Sequence, residues 1–271
     1  MPLDLPPGVR TLTNTESARL EKDHPLATAC ITCEGRGTYR WWDDPDPDNL
    51  DRQVVVHECQ CVEQRMLHRY LLNAGIGEEY QRLGWADMRW TEAGAMSFVL
   101  DYMDRAEAYM RAGRGMLLQG GKGTGKTGLA TLVLKALLAR GHDGYFITFN
   151  GLLDLFTSSW RDPEDKQWFH RRVKNTGVLV LDDAGRENAG RMSMPVMDEI
   201  IRHRVASSRP TIVTSNQDQQ SFAIRYGEYV VDLLVEQATP YTFAGTSRRS
   251  DVKTRKDEEI DLGLTRPIVI G

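Results

Sequence analysis

No stretch of the chain approaches the roughly eighteen consecutive apolar residues needed to cross a bilayer as a helix. Its start, Met1-Pro2-Leu3-Asp4-Leu5-Pro6-Pro7, lacks the charged segment and apolar core of a secretory leader. These absences predict a soluble chain that stays in the cytoplasm, with no membrane partner. A basic excess is also missing. The formal net charge is −4, which excludes a surface devoted wholly to nucleic acid and leaves only a local basic groove open. Cysteine is absent after Cys61, so any thiol chemistry is confined to the N-terminal part. What is present is 271 residues, 41% of them hydrophobic, enough for one main domain of ordinary size plus something small.

The run Gly120-Gly121-Lys122-Gly123-Thr124-Gly125-Lys126-Thr127 fits G-x-x-x-x-G-K-[ST]. It lies between the apolar strand Met116 to Gln119 and a helical pattern over Leu129 to Ala139, the context such a loop requires. Glycines let successive N–H groups and a helix N-terminus face a phosphate. Gly121 to Thr127 are therefore the nucleotide-binding residues, with Lys126 reaching the β and γ phosphates and the Thr127 hydroxyl on Mg²⁺.

Hydrolysis needs a second acidic strand end, and Val178-Leu179-Val180-Leu181-Asp182-Asp183 supplies one. Four aliphatic residues predict a central parallel strand buried on both faces. Ligands sit at the carboxyl ends of such strands. Asp182 is the candidate magnesium ligand through the ion's water shell, and Asp183 the candidate base for the attacking water. A third strand, Thr211 to Thr214, ends in Ser215-Asn216, where the amide of Asn216 is a candidate sensor that orients that water.

Cys30, Cys33, Cys59 and Cys61 form two close pairs, the spacing of one closed, structural zinc site. His57 lies beside the second pair and is read as a bystander. Trp41, Trp42 and Val54-Val55-Val56 predict a two-stranded ribbon between the pairs, with Asp43 to Asp51 as its exposed loop. Helical patterns cover Val62 to Leu72, ending in an Asn73 to Gly77 cap, and Ala95 to Arg111. A strand at Gly144 to Phe149 and a short helix at Gly151 to Phe156 complete a β-α-β-α-β-α-β order, hence an α/β fold with a parallel sheet flanked by helices. The division expected is a zinc module over 1–72, a linker over 73–94, an ATPase domain over 95–250 and a tail over 251–271. The charged, then apolar, tail is read as disordered or docked on a neighbour.

These elements resemble the AAA+ ATPases of the DnaC/IstB type: bacterial and phage helicase loaders and transposition ATPase helpers. The match rests on the phosphate loop, Asp182-Asp183-Ala184-Gly185, Arg209 to Asn216, and Phe243-Ala244-Gly245-Thr246-Ser247-Arg248-Arg249. The resemblance implies an AAA+ core that hydrolyses ATP, with Arg249 contacting the γ-phosphate from its own subunit. A Cys-x-x-Cys-x-Gly-x-Gly module looks like that of phage-type loaders. It implies a replicative DnaB-type helicase as partner, single-stranded DNA, a homo-oligomer on the helicase, and a bacterial or phage-infected cell as the setting. A transposition helper that binds duplex DNA and recruits a transposase is the alternative, and a nucleotide-gated scaffold with little turnover a third.

One segment departs from the family pattern. Gly227-Glu228-Tyr229-Val230-Val231-Asp232-Leu233 carries Tyr229 and Leu233 at both places where loaders of this type have arginines. A finger reaching a neighbouring subunit must then be Arg225, Arg202 or Arg204, or be absent, and the latter two are expected on a solvated helix face. Trp160, Arg161, Lys166, Trp168, Arg171, Arg172 and Lys174 interleave aromatics with cations and are candidates for single-strand contact, as are Arg186 and Arg191.

Overall fold

The computed structural model describes residues 30, 33, 36–43, 46, 49–88, 92–159, 163–187, 192–262 and 266–270. The chain's first 29 residues, and with them Trp160, Arg161 and Arg191, lie outside the described residues. Strands β1 (Thr38–Trp42) and β2 (Val54–Glu58) form the expected antiparallel ribbon, pairing Trp41 with Val55 and Trp42 with Val54. Helix α1 (Gln60–Asn73) follows and ends at Gly75, whose φ of +75° lets Ile76 N–H return to Leu71 O at 2.9 Å. A Cβ on Gly75 would lie 2.0 Å from Phe146 O. Only glycine permits that approach, and Ala74 O accepts a 2.7 Å bond from Phe146 N–H. The end of α1 is thereby joined to the sheet. Residues 73–88 continue as packed chain, with Ile76, Gln81 and Met88 buried.

The apolar runs read from sequence become β3 (Gly115–Gly120), β4 (Gly144–Thr148), β5 (Val178–Ala184) and β6 (Thr211–Ser215). A fifth strand, β7 (Ala238–Phe243), has no counterpart among those runs. All pair in parallel, in the order β4-β5-β6-β3-β7. Side chains alternate across the sheet. Met116, Leu118, Val178, Val180 and Ile212 face the helix that follows the phosphate loop, while Leu117, Leu179, Leu181 and Val213 face a second core on the opposite side. Parallel strands covered on both faces read as unbroken aliphatic runs for this reason.

The helical stretch expected over Ala95 to Arg111 divides into α2 (Ala93–Asp104) and α3 (Ala106–Arg111). Arg105 at φ −100°, ψ 12° breaks it, and the Tyr102 and Tyr109 rings meet at 5.0 Å. A continuous helix would separate positions seven apart by about 10 Å along its axis. Helix α4 (Lys126–Ala139) follows the phosphate loop, and its buried Lys135 donates to the carbonyls of Tyr80, Gln81 and Leu83.

The tail departs from expectation, because residues 266–270 dock on their own chain. Ile268 exchanges two hydrogen bonds with the Gln64 side chain, and Val269 N–H donates to Gln81 O at 3.1 Å. Asp87 takes Arg255 and Arg266 together, each at 2.7 Å. Burial opposes ionisation of Asp87, but the Gly84 amide and the two arginines hold its carboxyl below the usual range. Among the described residues no helix is long and apolar enough to cross a membrane.

Candidate functional site

The loop between β3 and α4 bends as its glycines allow. Gly123 has φ +76°, and a Cβ there would lie 2.3 Å from Ser247 Oγ. Gly125 caps α4 at φ +100°. Lys126 is the first helical residue, and its ammonium turns back over the loop. It donates to Gly120 O at 2.9 Å, Gly121 O at 2.6 Å and Asn216 Oδ1 at 3.0 Å. Burial pulls the Lys126 ammonium below its usual range, against the opposing pull of Asp183 and Asp182.

Asn216 links the lysine to the acidic strand end, donating from Nδ2 to Asp183 Oδ1 at 2.7 Å. The other oxygen of Asp183 accepts from Arg186 Nη1 at 2.9 Å. Asp182 lies deeper, and its Oδ1 accepts from the Thr214 hydroxyl at 2.7 Å. Burial raises the Asp182 carboxyl above its usual range, while the hydroxyls of Thr214 and Thr127 act in the other direction. Arg249 stands across the loop: Arg248 N–H donates to Gly123 O at 2.9 Å, and the Gly123 Cα faces the Arg249 side chain. Lys126, Thr127, Asp182, Asp183, Asn216 and Arg249 therefore converge on one phosphate loop. Thr214 joins them without having stood out in the sequence beyond its place in the strand. Its hydroxyl, two positions before the sensor amide, was the available signal.

Between positions 30 and 61, well upstream of the phosphate loop, the four cysteines converge as well. None is in a disulfide, all are buried, and their sulfurs lie within 4.8 Å of one another. Cys30–Cys59 and Cys33–Cys61 Sγ separations are 3.6 and 3.4 Å, near the edge of about 3.8 Å that a tetrahedron of 2.3 Å zinc–sulfur bonds has. Gly37 N–H donates to Cys33 Sγ at 3.3 Å. Burial and the neighbouring sulfurs push the Cys61 thiol up, whereas burial is outweighed at Cys33, which the Gly37 amide and the Cys61 and Cys59 sulfurs hold below its usual range. These residues could hold one metal ion. The His57 ring stacks on Tyr39 at 5.5 Å.

The IstB-like ATP binding protein family matches residues 49–253. The chain belongs to that family. With its five-stranded parallel core it is an AAA+ ATPase. It is similar to the replicative helicase loader DnaC of Buchnera aphidicola, 23% identical over 68% of this chain and 74% of the relative. The DnaC of Escherichia coli K12 is also 23% identical, over 61% of this chain and 68% of the relative. Among solved structures, a DnaC helicase loader superposes with TM-score 0.56 at 25% identity, covering 62% of this chain and 99% of that one.

Within this AAA+ ATPase the three arginines named as possible fingers have different surroundings. Arg225 is tied to the buried Glu187 at 2.6 Å, an acid that also accepts from Tyr226 and the Gly185 amide. Arg204 is not on a solvated face: it is fully buried and hydrogen-bonded throughout. Arg202 is exposed, paired with Asp198 at 2.7 Å and stacked over the Tyr229 ring at 4.2 Å. The basic segment after β4 is also divided. Arg172 is buried against Tyr145 and donates to Asn73 O, Lys174 is buried and paired with the exposed Glu199, and Trp168 packs edge-on to Tyr145. Lys166 and Arg171 remain exposed.

Proposed function

We propose that this ATPase is a replicative helicase loader, one that assembles on a hexameric DnaB-type helicase and helps place it on single-stranded DNA when replication begins. The observation that carries the reading is the union, in one chain, of an AAA+ core similar to the DnaC structure with a buried four-cysteine cluster. The module over 1–72 would hold zinc through Cys30, Cys33, Cys59 and Cys61 and contact the helicase. Residues 73–94 would connect it to the ATPase domain over 95–250, with 251–271 as the closing tail. Several subunits would act together in the cytoplasm, and Lys166, Arg171 and Arg186 would follow the DNA phosphates.

In the hydrolytic step, Gly121 to Gly125 would turn their amides to the phosphates and Lys126 would leave its carbonyl partners for the β and γ oxygens. Thr127 and Asp182 would hold Mg²⁺, which when bound offsets phosphate charge. Asp183, aligned by Asn216, would polarise the attacking water and take up its proton. Arg249 would meet the γ-phosphate from the same subunit.

Two measurements test this. Purified protein is expected to contain about one zinc ion per chain by elemental analysis, and Cys33→Ser to lose it together with order in the ribbon. A folded, zinc-free wild type would remove the metal from the proposal. Light scattering on a size-exclusion column should show an ATP-dependent complex with the cognate DnaB-type helicase that Cys33→Ser abolishes. Absence of a complex under every nucleotide condition, with duplex DNA bound instead, would favour the transposition helper that the family description also accommodates.

A further inference from the structure

We infer that Thr214 is a positioning residue for ATP hydrolysis, its single hydroxyl setting the aim of both Asp182 and Asp183. The inference rests on the hydrolytic reading above and starts from a problem of parity. Successive residues of a strand point to opposite faces. Adjacent aspartates in a regular β5 would therefore diverge, one toward the site and one away from it.

The structure resolves the problem with a bulge. Pairing of β5 with β6 is regular through Leu181 and Val213 and resumes at Ala184 and Ser215. Between those pairs Asp182 and Asp183 together oppose Thr214 alone, the two-against-one count of a β-bulge. Asp183 takes the left-handed region at φ +58°, which Asp tolerates better than most residues. The interrupted ladder would leave the Asp183 N–H without a strand partner. The Thr214 hydroxyl supplies it, accepting at 2.9 Å, and gives its only proton to Asp182 Oδ1 at 2.7 Å.

Each half of that contact has a distinct consequence. Accepting from the Asp183 amide fixes the turned backbone that sends the Asp183 carboxylate to Asn216. Donating to Asp182 commits one oxygen of a carboxylate that the Thr127 hydroxyl also hydrogen-bonds. Thr214 is 1% exposed, so water is poorly placed to replace the hydroxyl, and a buried donor left unmatched is costly. Ser215 closes the bulge from the next position, its hydroxyl donating to Ala184 O at 2.7 Å. That contact does not touch either carboxylate.

Thr214→Val keeps the shape and removes the hydroxyl, while Thr214→Ser keeps the hydroxyl and removes a methyl. For Thr214→Val, kcat is expected to fall and the Mg²⁺ concentration for half-maximal turnover to rise, each by about 10- to 100-fold, as for a residue supporting a metal ligand. Thr214→Ser is expected to stay within about threefold of wild type on both measures, a margin below that support effect. A Mg²⁺ midpoint unmoved in Thr214→Val overturns the inference, as does equal impairment of the two variants, which would assign the effect to packing. Should Thr214→Val fail to fold, a several-fold Mg²⁺ shift in Thr214→Ser would overturn it and an unshifted midpoint would support it. Wild type without turnover would instead defeat the hydrolytic reading. The Mg²⁺ midpoint for binding a fluorescent ATP analogue would then replace the turnover midpoint, with the same shifts supporting or overturning the role of Thr214.

Discussion

Replacing Lys126 with alanine is expected to lower ATP turnover by about two to three orders of magnitude while leaving the protein folded, a loss typical of removing one preorganised charge-stabilising donor. The ammonium is buried and satisfied by two loop carbonyls and the Asn216 amide oxygen. Those partners make it a stored donor, which phosphate oxygens would have to win from them. Its removal has a second effect. Asn216 is held at Oδ1 by Lys126 and at Nδ2 by Asp183, so without the lysine the amide loses the bond that fixes its orientation. Alanine is an excellent helix former, and eliminating a buried charge offsets the lost hydrogen bonds. The thermal midpoint should accordingly move little. Phosphate release under saturating Mg·ATP, paired with calorimetric melting, measures both quantities. Turnover within a few-fold of wild type would contradict the site assignment.

The largest loss of stability is expected from Arg204→Met. Arg204 lies on the helix Ser193–Ala206 and is 0% exposed. It donates to Thr211 Oγ1 and to the carbonyls of Val173, Lys174, Thr176, Gly177 and Pro210, at 2.7–3.2 Å. Among the described residues no carboxylate hydrogen-bonds it; carbonyl dipoles and the Thr211 hydroxyl solvate it, with Asp143 favouring its charge from a distance. Burial pushes the guanidinium down to about 9, which leaves it charged at neutral pH. A methionine would fill most of the volume and strand those acceptors. Even with water entering, a cost of about 3–5 kcal/mol is expected, the range for breaking a buried charged interaction. That is a large fraction of a total near 5–15 kcal/mol. Melting should move down by roughly 6–20 °C. Arg204→Lys should also be destabilising, since a point charge cannot span acceptors arranged for a planar fork. A melting shift below a few degrees would show that the carbonyls find other donors.

Arg202 and Arg204, two positions apart on one helix, show where sequence stops being informative. Both read as cations on an amphipathic face, and only the first is exposed. Burial of a charge depends on which loops end beside it, and here the ends of the segment after β4 and the start of β6 meet at one point. Local patterns served better where physics is local. The phosphate loop, the zinc-type cysteine spacing and four apolar strands were legible because glycine, thiolate spacing and apolar runs each have few structural solutions. Strand β7 was not, because Pro240 and its alternating exposure suit an edge strand and read equally as a loop. The bulge at Asp182 and Asp183 was invisible for a related reason. It is a property of two strands in register, and only the second strand's threonine reveals why both acids can serve one site.

The docking of residues 266–270 bears on how the protein acquires its fold. Gln64 and Ile268 are 204 positions apart, Asp87 and Arg266 are 179 apart, and both contacts cross the sheet-forming part of the chain. Non-local closures of this kind slow folding, since loop entropy is lost before the contact is made. On the ribosome, helix α1 and the 78–88 segment must wait until the chain has lengthened by about 200 residues, ten seconds or more at 5–20 residues per second. During that interval Gln64 and the Gln81 carbonyl lack their final partners. Early chain segments of this ATPase are therefore the ones most exposed to wrong partners while it is being made, and a disturbance near residue 268 would be felt first as poor yield of folded protein.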